Sequence, residues 1–325
     1  MSKTIPGSFI YTLGANQPIL NPKIWHIIKF LPTLHVLHVM GTGAGLYIWQ
    51  FTQGELVRNG TWLVPYISHA GTYPPENSFF TFALTVASFY QFVIITYQYR
   101  IVRRRNTLLL EVDGGTRNIM SLLSGYIATL GVLIVGCFPT SDIAIVHAAG
   151  VGFFVAGGQF YMYSLVHLEV LSLKRKCGNS FWVKSLLVKR VCAAFTTLML
   201  FIFFIFSWSS YNKWTPGPLD GREKATRSNW RPYDGGFYEY RVAALLELVF
   251  MMGFLLFMFT LQRDFLKYTD SYYKGLMKNS FDSSSSMQSM VQEINIAPDL
   301  RSHDMEMVSP INLQSNSDIQ SSPEK

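Results

Sequence analysis

Residues 191–211 read VCAAFTTLMLFIFFIFSWSSY, and this stretch decides the fold class of the chain. It is 21 residues long and contains no Asp, Glu, Lys, Arg or His. A helix of about 20 apolar residues crosses the hydrocarbon core of a bilayer, which is about 30 Å thick. The stretch therefore predicts a transmembrane helix.

Five other stretches share this length and apolar character. The six predicted spans are residues 27–51, 79–99, 118–138, 143–167, 191–211 and 240–262. A soluble domain seldom has even one such run, so we predict an all-α, polytopic membrane protein. Its six-transmembrane-helix bundle occupies residues 27–268 and follows a cytosolic N-terminal segment, residues 1–26. The first span starts late and has no clear small-residue cleavage site, so we interpret it as a signal anchor.

The distribution of Lys and Arg predicts how the bundle is oriented. If the N-terminus is cytosolic, 17 of the Lys and Arg residues near the membrane lie on the cytosolic side and 6 on the other. Because cytosolic loops carry the excess of these residues, both termini are expected in the cytosol. The sequon at Asn59 then falls in the first, lumenal loop, which makes Asn59 a candidate site of N-glycosylation.

The net charge of +7 combines two unlike pieces of chain. Residues 1–262 carry +10 and residues 263–325 carry −3. The basic residues flank the spans, so their charge reflects topology and predicts no nucleic-acid partner. Residues 269–325 are rich in serine, and we predict a disordered cytosolic tail. Within it, Tyr273 and Leu276 fit a sorting signal that adaptor proteins bind in extended form.

Ionisable side chains inside the spans are the first candidates for function, because burying them in a membrane is costly. Glu247 lies in the sixth span, His147 begins the fourth and Glu76 precedes the second, so we expect them to converge in the lumenal half. Two hypotheses stay open: an acid–base or metal site acting on a lipid, or a hydrogen-bond network between helices. No metal-binding or cofactor-binding motif is recognisable, and no cofactor is expected.

Small residues also recur at a spacing of four. Such pairs let two helices approach closely in a membrane. They are Gly41/Gly45, Ser121/Gly125 and Gly152/Ala156.

The first loop carries a more specific pattern. It resembles the loop-1 signature of the damage-regulated autophagy modulators (DRAM), at Pro65, Tyr66, Ile67, Ser68, Gly71, Thr72, Pro74, Pro75 and Glu76. Weaker matches follow in the same order along the chain, at residues 30–32, 99–102, 146–150, 247 and 262–265. The chain departs from the signature at His69, where an Asp is usual.

The resemblance covers residues 27–268 and extends to a wider superfamily. That superfamily includes post-GPI-attachment lipid-remodelling factors and yeast relatives that recruit a phosphoinositide kinase. The resemblance implies six spans, cytosolic termini, residence in endolysosomal or other endomembranes, and a role in promoting autophagy. It implies no catalytic mechanism.

Three functions follow as hypotheses. The first is a non-enzymatic endolysosomal membrane protein that modulates autophagy through membrane lipids or protein partners. The second is a GPI-anchor lipid-remodelling factor of the Golgi or endoplasmic reticulum. The third is a plasma-membrane scaffold that recruits a phosphoinositide kinase. The sequence does not indicate an oligomeric state.

Overall fold

The computed structural model describes residues 27–54, 57–58, 61–62, 64–72, 74–107, 114–140, 143–175, 180–218 and 230–295. The chain divides into two compact units, Met1–Ser271 and Tyr272–Lys325. The first unit contains all the predicted spans. Asn59 lies outside the described residues.

The described chain is almost entirely helical. The helices are α1 (Leu31–Thr52), α2 (Ile67–Ala70), α3 (Glu76–Thr107), α4 (Gly114–Cys137), α5 (Ala144–Arg175), α6 (Ser180–Lys213) and α7 (Phe237–Asn295). Between α1 and α2, strands β1 (Val57–Arg58) and β2 (Thr61–Trp62) pair antiparallel, with Val57 opposite Trp62. This short hairpin is the one element in the described residues that the all-α prediction lacks.

Five of the described helices contain a segment long and apolar enough to cross a membrane. These segments are Glu76–Arg103, Gly115–Cys137, Ala144–Leu171, Lys184–Lys213 and Phe237–Lys267. Helix α1 is the remaining predicted span, and its composition explains why it is less apolar than the other five. It contains two histidines and three glycines within 22 residues, which lower its hydropathy. At 1.5 Å per residue it is about 33 Å long, so its length matches a bilayer.

Helices α6 and α7 extend furthest beyond the predicted spans. Helix α6 begins at Ser180 rather than near residue 191, and apolar pairs at 182–183 and 186–187 continue the helical spacing there. Lys189, which the sequence places in a cytosolic loop, therefore lies within a helix. Helix α7 continues to Asn295, past the predicted start of the disordered tail at about residue 269. The first proline after the sixth span is Pro298, so no proline interrupts this helix.

Helices α4 and α5 form the closest pair, and glycine allows their approach. A Cβ on Gly131 would lie 2.3 Å from the Phe154 backbone nitrogen, so no larger residue fits there. Gly125, from a predicted pair, faces Ile95 of α3 at 2.8 Å. The prediction is wrong for Gly41, Gly45 and Gly152, because a Cβ on these residues would meet nothing within 4 Å. A four-residue spacing identifies a helix face but not whether another helix covers it.

Helix α7 contacts several of the other helices through its side chains. Phe254 packs edge-on against Phe154 of α5, with ring centroids 5.0 Å apart. Eight residues further along α7, Gln262 accepts a hydrogen bond from the Thr33 hydroxyl of α1 at 2.9 Å. The Gln262 amide also donates to the Lys29 carbonyl at 2.5 Å. The last predicted span therefore binds the first.

Candidate functional site

The first loop folds around the short helix α2 and is held against α1. The Tyr47 hydroxyl of α1 donates to the Pro65 carbonyl at 3.0 Å. Gln50, which is also on α1 and is buried, donates to the Ala70 carbonyl at 3.2 Å. These two bonds fix both ends of α2, so the motif residues have defined positions.

Gly71 of the motif is required by a close contact with α3. A Cβ at this position would lie 2.4 Å from Cγ of Phe80, whose side chain is buried. The φ angle of Gly71 is −103°, which any residue adopts, so the contact rather than the backbone excludes a side chain. Next to it, Thr72 donates its hydroxyl to the Ser68 carbonyl at 2.8 Å. The Pro74–Pro75 peptide bond that follows is cis.

An aromatic cluster covers the loop. The Tyr66 ring packs edge-on against Tyr240 of α7, with centroids 4.9 Å apart. Tyr240 stacks on Trp230 at 4.7 Å, and its hydroxyl lies 3.0 Å from Nδ1 of His69. Trp230 donates its indole N–H to the Gly235 carbonyl at 3.1 Å. The cluster therefore joins the first loop to the segment that leads into α7.

Burial keeps Tyr66 and His69 of this loop neutral. Loss of solvent raises the pKa of the Tyr66 hydroxyl to about 12. Burial, with a smaller contribution from His147, lowers the pKa of His69 from 6.5 to about 4. At neutral pH both side chains are therefore uncharged.

Glu247 is held by the backbone of the motif. Its Oε2 accepts a hydrogen bond from the Ile67 amide at 2.9 Å, which satisfies an N–H in the first turn of α2. Glu247 and Ile67 also line a cavity of about 100 Å³ between the helices. The cavity walls are otherwise almost wholly apolar. A carboxyl group thus lines an otherwise largely apolar space.

The other two predicted site residues bind different partners. The Trp49 indole of α1 donates to Oε1 of Glu76 at 2.8 Å. Glu76 also occupies the first turn of α3, where a carboxylate is favourable. Nδ1 of the buried His147 lies 2.7 Å from the Phe138 carbonyl, and a carbonyl only accepts, so Nδ1 carries the proton. Across the described residues, no hydrogen bond joins two of Glu76, His147 and Glu247.

A second polar cluster lies at the opposite end of the bundle. Lys189 of α6 is fully buried and forms ion pairs with Glu169 of α5 and with Asp264 of α7, the latter at 2.6 Å. Gln98 of α3 donates its amide to the same Asp264 oxygen at 3.0 Å. Buried charges persist only when they are paired. The cluster therefore ties four helices together.

Sequence reasoning did not find this second cluster. It counted Lys189 among loop charges and noted Asp264 only within the motif at 262–265. The available signal was the helical spacing of apolar residues at 182–187, which places Lys189 inside a helix. The acidic partners had no such signal, because Glu169 and Asp264 are separated by 95 positions in the chain.

Comparison with known proteins agrees with this architecture. The domain family described as Frag1/DRAM/Sfk1/Cwh43P N-terminal domain matches residues 27–268. DNA damage-regulated autophagy modulator protein 2 of Rattus norvegicus is 26% identical over 246 residues, which cover 74% of this chain and 85% of the relative.

Two type 1 proteins give a similar result. DNA damage-regulated autophagy modulator protein 1 of Xenopus laevis is 27% identical over 238 residues, covering 73% of this chain and 90% of the relative. Protein 1 of Homo sapiens is 24% identical over 212 residues, covering 63% and 79%. No solved structure matches the chain.

The family match spans every predicted membrane helix, the motif loop and the polar cluster around Lys189. The helices that form these features have the length and composition of membrane spans. The chain is therefore a multi-pass membrane protein that belongs to the Frag1/DRAM/Sfk1/Cwh43P N-terminal domain family.

Proposed function

We propose that this protein is an endolysosomal membrane protein that modulates autophagy and does not itself catalyse a reaction. The autophagy role is supported by the relatives, which are named as autophagy modulators and align over about three quarters of this chain. The non-enzymatic role is supported by one observation above all. Glu76, His147 and Glu247 each form a hydrogen bond with a separate partner, as expected of residues that hold a helix bundle together.

The proposal includes six spans with both termini in the cytosol. Helix α1 is long enough to be the first of these six spans, and several of its polar side chains have partners inside the bundle. His38 bonds to the Ala83 carbonyl at 2.8 Å, and Thr33 bonds to Gln262. A helix of modest hydropathy is stable in a membrane when its polar side chains are satisfied in this way. The distribution of Lys and Arg supports the orientation.

The catalytic alternative is tested with substitutions that keep the hydrogen bonds and remove the chemistry. His147→Asn retains an N–H that reaches the Phe138 carbonyl, and Glu76→Gln retains an oxygen for the Trp49 indole. An amide cannot act as a general acid or base, and it binds a metal ion far more weakly than a carboxylate or an imidazole. Both variants are expected to restore autophagic flux in null cells at matched expression.

Each substitution has a matched control that removes the hydrogen bond as well. His147→Leu and Glu76→Leu are expected to lower expression and flux together. If the amide variants fold normally but lose flux, or if cells lose the ability to remodel GPI-anchor lipids, the non-enzymatic proposal is wrong. Flux is measured as the difference in lipidated autophagosome marker with and without lysosomal inhibition.

The compartment is tested through the tail. Tyr273→Ala is expected to shift the tagged protein from acidic compartments to the cell surface. Tyr272→Ala is the matched control, since it removes a neighbouring tyrosine outside the signal. The described backbone is helical at residues 273–276, so adaptor binding requires this turn to unwind. An unchanged distribution of Tyr273→Ala would assign the sorting information to another segment.

A further inference from the structure

The cavity beside Glu247 could hold a ligand in addition to the hydrogen bond that Glu247 forms with Ile67. Helices α1, α3, α4, α5, α6 and α7 all contribute to its wall. The lining includes Leu84, Val132, Val151 and Phe154, and its only polar members are His38, Thr42 and Glu247. An apolar cavity of about 100 Å³ within a membrane bundle is a space for part of a hydrophobic molecule.

The polar members of the wall use their donors within the protein. The Thr42 hydroxyl donates to the His38 carbonyl at 2.8 Å. His38 lies 2.8 Å from the Ala83 carbonyl through Nε2, so Nε2 carries a proton and is occupied. Glu247 accepts from Ile67 through Oε2 alone. With the Glu247 carboxyl group ionised, what the cavity wall offers a ligand is therefore hydrogen-bond acceptors.

The lack of a counter-ion for Glu247 among the described residues favours a cationic ligand. In the part of the chain that the structure describes, no Lys or Arg forms an ion pair with Glu247, and its Oε1 has no hydrogen-bond partner. A carboxylate in apolar surroundings is costly without a counter-ion. A ligand that brings a cation would both satisfy Oε1 and supply the missing charge.

We propose that this cavity binds the head of an amphiphile with a protonated long-chain amine. The ammonium group contacts Oε1 of Glu247, and the first methylene groups fill the apolar wall. The cavity is too small for a whole chain, so the remainder extends into the surrounding lipid. This binding site goes beyond the proposed role in autophagy and does not depend on the compartment.

The experiment uses the full chain in detergent micelles and a photoreactive, clickable long-chain amine. Its N-acetylated counterpart has the same chain but no charge, and it serves as the ligand control. Saturable labelling by the amine is expected, with mapped peptides from the cavity wall. Because hydrogen bonds to charged groups are stronger than neutral ones, Glu247→Gln is expected to weaken labelling roughly 10- to 100-fold.

A second variant keeps the proposal testable if Glu247→Gln does not fold. Val132→Phe fills the cavity and leaves the carboxyl group in place, and it is expected to abolish labelling. Val191→Phe makes the same change on the exposed surface of α6 and is expected to label normally. All variants are compared by size-exclusion profile before labelling.

Three results would overturn the proposal. One is equal labelling by the amine and its N-acetylated counterpart, which would assign the contacts to the chain alone. Another is unchanged labelling of a folded Glu247→Gln or Val132→Phe protein. The last is cross-linking confined to peptides outside the cavity wall.

Discussion

Replacing Lys189 by methionine tests whether the second polar cluster stabilises the bundle as its geometry indicates. The substitution keeps the length and the apolar stem of the side chain but removes the ammonium group. Glu169 and Asp264 then lose the cation that both of them contact. Breaking a buried ion pair by removing one partner costs about 3–5 kcal/mol, because the remaining charge is buried and uncompensated.

The same reasoning predicts that neutralising the acids reverses the loss. When a whole buried ionic group is replaced by uncharged residues of similar size, the net effect is often close to zero. The triple variant Lys189→Met, Glu169→Gln, Asp264→Asn should therefore recover most of the stability that the single variant loses. A simple packing defect at Lys189 would not be repaired by changes to the two acids.

The measurement is thermal unfolding of purified protein in detergent. A loss of about 3–5 kcal/mol corresponds to a fall in Tm of roughly 6–20 °C for a domain of this size. Arg190→Met is the matched control, because it removes a neighbouring cation that is exposed. The reasoning is refuted if Lys189→Met unfolds within about 2 °C of the native chain, or if the triple variant is as unstable as the single one.

Other predictions concern the first loop. Gly71→Ala should destabilise the protein by about 1–3 kcal/mol through its clash with Phe80, whereas Gly41→Ala, with open space around it, should not; equal Tm values would contradict this. The pKa of His69 is lowered to about 4, so its stabilising effect is complete above pH 6.5 and is lost as the pH falls toward 4. In His69→Asn, Tm should depend less on pH across this range. An unchanged slope of Tm against pH would assign the pH dependence to another group. Asn59→Gln should abolish any glycosidase-sensitive gel shift of the native chain, and a shift that persists would exclude Asn59 as its source.

The helical, multi-pass character of the chain could be predicted because it depends on local composition. A charge-free stretch such as residues 191–211 has few alternatives to a membrane helix. The contacts of the site could not be predicted in the same way. The bond between Ile67 and Glu247 joins residues 180 positions apart, and nothing in either local sequence specifies the other.

Charged residues near the ends of spans were the hardest to interpret from sequence. Lys189 and Arg190 are adjacent, yet one is fully buried and the other is exposed. A count of basic residues treats both as markers of the cytosolic side. Only the rotation of α6 relative to α5 and α7 distinguishes them, and rotation depends on packing that composition does not encode.

The hydrogen bonds between the first and last spans have a consequence for biosynthesis. Helix α1 emerges from the ribosome first. The hydrogen-bond partners of Thr33 and of the Ile67 amide are Gln262 and Glu247, which are synthesised much later. Until α7 is made, these groups lack their native partners, and the nascent protein is a natural substrate for membrane quality control. A truncation that removes α7 is therefore expected to destabilise the start of the chain as well as its end.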